Sequence, residues 1–177
     1  FWTLSAFQAS LAGEYASGGG DYPEALDEAL AQVPQLSWSG GATARMVFHL
    51  GDAPHHALRA QAVRAALEQI RRLGIRLYPI AASGADALTE YTMRTEAQVT
   101  GGRYLFITND SGIGGSHLEP TIPCYLVTRL EKAVQRMIEM ELTGLKIDPL
   151  PGDVLRTGGD PQNGACSLSS GQTVYVL

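Results

Sequence analysis

The stretch ARMVFHLGD, residues 44–52, decides the fold of this chain. It predicts a buried strand, from about Arg45 to Leu50, that runs into a loop carrying Asp52. The strand is apolar almost throughout, which is typical of strands covered on both faces of a parallel sheet. Helical periodicity follows from about His56 to Leu73. The stretch therefore predicts one strand–loop–helix unit of an α/β fold.

The same alternation continues along the chain. IRLYPIAA (75–82) and RYLFIT (103–108) predict two more strands, and DALTEYTMRTEAQV (86–99) predicts the helix between them. A long helix is predicted from about Ile122 to Leu142. Because right-handed crossovers join parallel strands, we expect an α/β, Rossmann-like, mainly parallel sheet with helices on both faces.

Two helices are predicted ahead of the first strand. Leu4 to Glu14 has apolar residues spaced for one face. The second helix is predicted to begin near Asp21, because Asp21 and Glu24 have the spacing of a capping box and Pro23 suits a first turn.

The character of the chain changes after Leu145. We expect residues 1–145 to form the α/β unit and residues 146–177 to form an irregular C-terminal extension. Short runs at Asp153–Arg156 and Thr173–Leu177 predict a small β-pair within that extension.

The strand Arg45 to Leu50 is apolar enough to be central in its sheet, with a neighbour on each side. Three strands covered by helices make a poor sheet, and we expect this chain to supply too few strands to flank the apolar strand. An exposed apolar edge invites association, so we expect a strand from elsewhere to pair with it.

Composition excludes some classes of function. The chain has 177 residues and a net charge of −5, and it is 45% hydrophobic. The charge argues against a nucleic-acid partner, and no apolar run approaches the ~20 residues of a membrane span.

The chain opens on FWTLSAF without an initiator Met or a signal pattern, so we expect a trimmed N-terminus. Cys124 and Cys166 lack metal-ligand spacing and form either a disulfide, which suits an extracytoplasmic protein, or two separate thiols.

Acidic residues follow two glycine-containing turns at the same edge of the predicted sheet. Ligands of open parallel sheets bind beyond the carboxyl ends of the strands. Asp52 follows the first strand, and Asp21 follows SGGG (17–20) at the start of a helix. If the two carboxylates converge there, they provide hard oxygen ligands for Mg²⁺, Mn²⁺ or Ca²⁺.

Several segments together resemble the second half of a von Willebrand factor A domain, in particular its bacterial secreted or lipoprotein-type versions. They are GGGDYPEALDEAL (18–30), RMVFHLGDAPHH (45–56), GIRLYPIAASG (74–84) and TGGRYLFIT (100–108). The resemblance covers about residues 1–144. It implies a non-catalytic protein-binding or adhesion module with a metal-ion-dependent adhesion site, and an extracytoplasmic location.

The resemblance also implies particular site residues. Asp21 and Asp52 match metal ligands of the second and third loops, for Mg²⁺ or else Mn²⁺ or Ca²⁺, with a carboxylate of the protein partner completing the metal shell. The associated binding-loop residues are Gly19, Gly20, Gly51 and Ser83. The family's first-loop motif, Asp-x-Ser-x-Ser, does not occur in this sequence. We therefore expect the N-terminal strands of the domain to be missing here and to be supplied in cis or in trans.

Other interpretations stay open at this point. Asp21 can serve as a helix cap and Asp52 as a turn residue. A hydrolase on a Rossmann-like frame would use Asp52 and His55, although the sequence shows no nucleophile–base–orienter set. A third alternative is a structural module that assembles through the exposed edge strand.

Overall fold

The computed structural model describes residues 3–15, 20–111, 115–117, 119 and 122–175. Five helices and seven strands occur in these ranges. The helices are α1 (Leu4–Ala12), α2 (Leu26–Gln32), α3 (Ala60–Arg72), α4 (Ala87–Thr100) and α5 (Leu130–Thr143). The strands are β1 (Arg45–Gly51), β2 (Ile75–Ala81), β3 (Leu105–Phe106), β4 (Tyr125–Thr128), β5 (Val154–Gly158), β6 (Ala165–Ser167) and β7 (Thr173–Tyr175).

A three-stranded parallel sheet forms the centre of the fold, with the order β1-β2-β3. The strands β1 and β2 pair over their whole length, from Arg45 opposite Ile75 to Gly51 opposite Ala81. The short strand β3 pairs with the end of β2. The predicted parallel α/β sheet is thus confirmed.

Helices cover both faces of this sheet. On one face, Leu77 packs in a cluster with residues of α2 and α3, including Leu30, Leu67 and Ile70. On the other face, Tyr78 packs against Met137 and Met140 of α5. Adjacent residues of a strand point to opposite faces, so β2 supplies both halves of the core.

The helix α4 is positioned by its two ends. The Asp86 carboxylate accepts a hydrogen bond from the Thr89 amide at 2.8 Å and caps the N-terminus. Gly101 ends the helix with a φ of 77°, a conformation that favours glycine. A Cβ atom on Gly102 would overlap the carbonyl oxygen of Leu77, so the turn after α4 lies directly against β2.

The predicted helix start at Asp21 is wrong. The helix α2 begins at Leu26, and neither Asp21 nor Pro23 lies in its first turn. The backbone amide of Glu24 instead donates to the Pro54 carbonyl at 2.8 Å, and Glu24 pairs with His55 in a short parallel bridge. This pairing holds the segment extended and delays the helix.

The predicted continuous helix from Ile122 to Leu142 is also wrong in its first part. Tyr125–Thr128 forms β4, and α5 begins only at Leu130. The strand β4 pairs antiparallel with β5, with Tyr125 opposite Gly158. A partner this distant in sequence leaves no local periodic signal, and aromatic and β-branched residues favour the strand once it is present.

The C-terminal extension contains one β-pair, but its strands are not the two that were predicted to pair. The Asp153–Arg156 run falls largely in β5, which pairs with β4, whereas β7 pairs with β6. Cys124 and Cys166 form a disulfide, with their Cα atoms 6.1 Å apart. The disulfide joins the β6–β7 hairpin to the residue just before β4.

The strand β1 is not central, as its apolar sequence led us to expect; β2 is. In the described part of the chain, no strand pairs with the outer edge of β1. The amide of Ala82 donates to the Gly51 carbonyl, so the alternate residues 45, 47, 49 and 51 bond to β2. The backbone groups of Met46, Phe48 and Leu50 therefore face the open edge.

Candidate functional site

Three loops meet at the carboxyl end of the sheet: residues 20–24, residues 52–56 after β1 and residues 82–86 after β2. The Glu24–His55 bridge joins the first loop to the second. The side chain of Tyr22 joins the first loop to the other two. The predicted convergence of these loops at one edge is therefore observed.

The hydroxyl group of Tyr22 is the centre of this contact. It lies 3.1 Å from the carbonyl oxygen of Asp52 and 3.0 Å from that of Gly84, so its single proton is shared between two acceptors. The same oxygen accepts a hydrogen bond from the Asp86 amide at 3.2 Å. One phenol thus fixes the spacing between the loops that follow β1 and β2.

Of the two predicted metal ligands, Asp21 precedes Tyr22 in sequence, and Asp52 contacts the Tyr22 hydroxyl through its backbone carbonyl. Asp21 is exposed, and its Oδ2 atom lies 3.7 Å from Nδ1 of His56. Asp52 is exposed, and its Oδ2 atom lies 3.9 Å from the position that a Cβ atom on Gly84 would take. Both carboxylates are available to solvent at the same edge of the sheet.

The predicted binding-loop glycines and Ser83 have different surroundings. Gly20 is exposed in a bend, and Ser83 is half-buried in the turn after β2. A Cβ atom on Gly51 would lie 3.0 Å from both Nε2 of His49 and Cε of Met93, so the end of β1 is closely packed. Gly19 lies outside the described residues.

The described residues do not form a complete divalent-cation site. No group of three or more His, Cys, Asp or Glu side chains in these ranges is placed to hold a metal ion. Mg²⁺ requires about six ligands and Ca²⁺ six to eight, and Asp21 and Asp52 supply two side chains. Asp21 and Asp52 alone therefore leave most of a cation's coordination shell to other groups.

A hydrogen-bonded pair, His49 and Glu96, lies just beneath the edge. Nδ1 of His49 on β1 lies 2.9 Å from Oε2 of Glu96 on α4, and the Glu96 side chain is fully buried. The other Glu96 oxygen, Oε1, has no hydrogen-bond partner. Sequence analysis did not predict this pair, although a histidine inside an apolar strand was a signal that it needs a polar partner.

The hydrolase alternative needs His55 next to Asp52, and these two side chains do not hydrogen bond. Nδ1 of His55 lies 2.8 Å from the carbonyl oxygen of His56 instead. That contact occupies the ring nitrogen within its own loop. The geometry does not favour a base–acid pair at these positions.

A second charged cluster, also missed by sequence analysis, joins the end of β3 to the C-terminal extension. Nη2 of Arg156 on β5 lies 2.9 Å from Asp110 Oδ2 and 3.0 Å from Glu119 Oε1. The guanidinium and the Thr108 hydroxyl hold the pKa of Asp110 below its usual value. Burial and the hydrogen bond to Glu119 raise the pKa of the Tyr125 hydroxyl. These contacts attach β5 to the segment that follows β3.

Comparison with protein-family models, with curated proteins and with solved structures found no match for this chain. The function is therefore inferred from the geometry of the loops and side chains described above. No helix within the described ranges is long and apolar enough to span a membrane.

Proposed function

We propose that this chain contains the C-terminal portion of a von Willebrand A-type module that binds another protein without catalysing a reaction. The partner contacts the carboxyl-end loops 20–24, 52–56 and 82–86. The observation that carries the proposal is the Tyr22 hydroxyl, which fixes these loops relative to one another. A surface of loops held on a rigid sheet is typical of binding sites.

The module's divalent cation, Mg²⁺ or else Mn²⁺ or Ca²⁺, requires more than this chain. Asp21 and Asp52 contribute two carboxylates, and the resemblance implies that the Asp-x-Ser-x-Ser loop supplies the remaining protein ligands. That loop belongs to the N-terminal strands of the domain. The open edge of β1 offers the outward backbone groups of Met46, Phe48 and Leu50 to such a strand, in cis or in trans.

Terbium luminescence tests the two carboxylates directly. Tb³⁺ prefers oxygen ligands as Ca²⁺ does, and a nearby tyrosine ring, here Tyr22, sensitises its emission. We expect weak, saturable emission that Asp52→Asn and Asp21→Asn each reduce. Asp160→Asn is the matched control, because Asp160 is exposed in the C-terminal extension. Emission that neither substitution at the edge changes would refute the assignment of these ligands.

The assembly module is the second candidate, and the unpaired β1 edge favours it. Leu50→Pro removes the outward amide of an exposed residue without removing a bond to β2. If the chain self-associates through this edge, sedimentation will show oligomers for the wild type and for Leu50→Thr, but a monomer for Leu50→Pro. A monomeric wild type would exclude self-assembly and leave the edge to a different strand.

An extracytoplasmic location belongs to the same proposal. The Cys124–Cys166 disulfide supports it, because disulfides persist in oxidising compartments and are rare in the cytosol. Accessibility of the native protein in intact cells to a membrane-impermeant amine label tests the location.

A further inference from the structure

A cavity of about 770 Å³ lies beside β3, at the opposite edge of the sheet from β1. Its walls come from the β3 region, from β4 and from the first half of α5. This volume is within the usual range for small-molecule sites, about 300–1,000 Å³. None of the residues proposed above for the protein-binding loops lines it.

The cavity wall carries an excess of positive charge. It contains four arginines, Arg94, Arg103, Arg129 and Arg136, and two acids, Asp110 and Glu131. Asp110 is already neutralised by Arg156, and Arg94 pairs with Glu90 outside the wall. In the described part of the chain, Arg103, Arg129 and Arg136 have no ion-pair partner. A cationic cavity in a chain with a net charge of −5 is a local feature that favours an anion.

Arg136 is the residue that points most directly to a ligand. It is only 8% exposed, and its Nε atom is buried without a hydrogen-bond partner among the described residues. Its Nη1 atom makes a single long contact, 3.5 Å, to the carbonyl oxygen of Ile147. Asp148 and Asp153 act on it through space without forming an ion pair. Buried guanidinium groups are normally paired, so a bound anion would complete its contacts.

Most of the rest of the wall is apolar or aromatic, with a few uncharged polar side chains. Tyr104, Phe106 and Tyr125 line it together with aliphatic side chains from β4 and α5. The rings of Phe106 and Tyr125 pack edge to face at 5.4 Å between centroids. Flat apolar groups are bound well by such surfaces.

We propose that this cavity binds a small carboxylate with a flat apolar body, and that the carboxylate contacts Arg136. The planar guanidinium matches a carboxylate in shape and charge, and the aromatic wall takes the apolar body. This site is independent of the proposed protein-binding loops, so either proposal can fail without the other.

Calorimetry with 2-naphthoate tests the site, with 2-naphthamide as the uncharged ligand of the same shape. We expect 2-naphthoate to saturate the protein and 2-naphthamide to bind at least about tenfold more weakly, because a charge-assisted bond is lost. Arg136→Met is expected to reduce 2-naphthoate affinity by a similar factor, and Arg136→Lys by less. Arg64→Met is the matched control, since Arg64 is 82% exposed on α3 and should leave affinity unchanged.

Leu155→Trp provides a second variant if Arg136→Met does not fold. Leu155 lines the cavity but is half exposed. A larger side chain there therefore narrows the cavity without requiring the core to repack. We expect it to weaken 2-naphthoate binding. No saturation of the wild type at about 10 mM 2-naphthoate, well above millimolar Kd values, would overturn the proposal. Equal affinities for naphthoate and naphthamide, or equal affinities of the Arg136→Met and wild-type proteins, would overturn it as well.

Discussion

Nδ1 of His49 lies 2.9 Å from Oε2 of Glu96, and this contact joins the edge strand β1 to the buried side of α4. The imidazole is partly exposed, whereas the carboxylate is fully buried. A buried carboxylate costs free energy unless a partner compensates it. The position of His49 therefore fixes how α4 sits beneath the loops at the carboxyl end of the sheet.

Replacing His49 should expose that cost. His49→Ala leaves Glu96 buried without its partner, and we expect a loss of about 3 kcal/mol in the free energy of unfolding. In the double variant His49→Ala/Glu96→Leu, the loss should be smaller than the sum of the two single losses, because no buried charge remains unpaired. Urea denaturation of the wild type, the two single variants and the double variant measures the coupling energy between His49 and Glu96. Additive losses would contradict the pairing.

Tyr22→Phe should loosen the loops at the carboxyl end of the sheet. The substitution removes the hydroxyl that contacts Asp52, Gly84 and Asp86. We expect a loss of about 1 kcal/mol in the free energy of unfolding and faster hydrogen exchange at the Asp86 amide. Tyr15→Phe is the control, because Tyr15 is 82% exposed and should show neither effect. Unchanged exchange at Asp86 would mean that the hydroxyl does not hold the loops.

The helix cap at Asp86 predicts a dependence of stability on pH. Hydrogen bonds from the Thr89 amide and hydroxyl lower the pKa of Asp86 in the folded protein. Its stabilising contribution is therefore present above the unfolded pKa and is lost as pH falls through the folded pKa.

We expect Asp86→Ala to cost about 1 kcal/mol near neutral pH. That cost should shrink from about pH 6 to about pH 2, as the wild-type carboxylate is protonated. Asp86→Asn retains a capping oxygen without a titrating group, so its stability should be similar to that of the wild type near neutral pH. Chemical denaturation near neutral pH and at about pH 2 measures the stability of each variant relative to the wild type. A pH-independent cost of Asp86→Ala would exclude the charged cap.

Removing the disulfide should release the C-terminal hairpin. Cys124 and Cys166 are 42 residues apart, and closing a loop of that length in the unfolded chain is worth about 4 kcal/mol in the chain-entropy account. Cys166→Ser is the milder substitution, because Cys124 is fully buried and Cys166 is not. We expect a lower denaturation midpoint and a loss of amide protection in β6 and β7. A reductant should reproduce the effect in the wild type and have none on the variant.

Local sequence pattern was sufficient for the parallel part of the fold. The strands at Arg45 and Ile75 and the helices that follow them were predicted within one to four residues, because each element carries its own periodicity and its own end signals. Asp86 and Gly101 mark the ends of α4 in sequence as they do in the structure.

Contacts between residues far apart in sequence account for the features that the local sequence pattern did not predict. Nothing near Tyr125 announces that β5 will pair with it, so its strand was predicted as a helix. Asp21 has the spacing of a cap, but the bond from Glu24 to Pro54 determines the local backbone. Tyr22 was missed because its acceptors are backbone carbonyls, which every residue carries. Asp52 was placed at this edge because a residue directly after a parallel strand lies at the carboxyl end of the sheet.

Position 102 tolerates no side chain, because the turn after α4 rests on the main chain of β2 at Leu77. Even a single methyl group at position 102 would push the turn after α4 away from β2. It would thereby disturb the strand whose side chains pack into both halves of the core. Random codon changes that abolish glycine at 102 should consequently be purged, with no contact to any ligand involved.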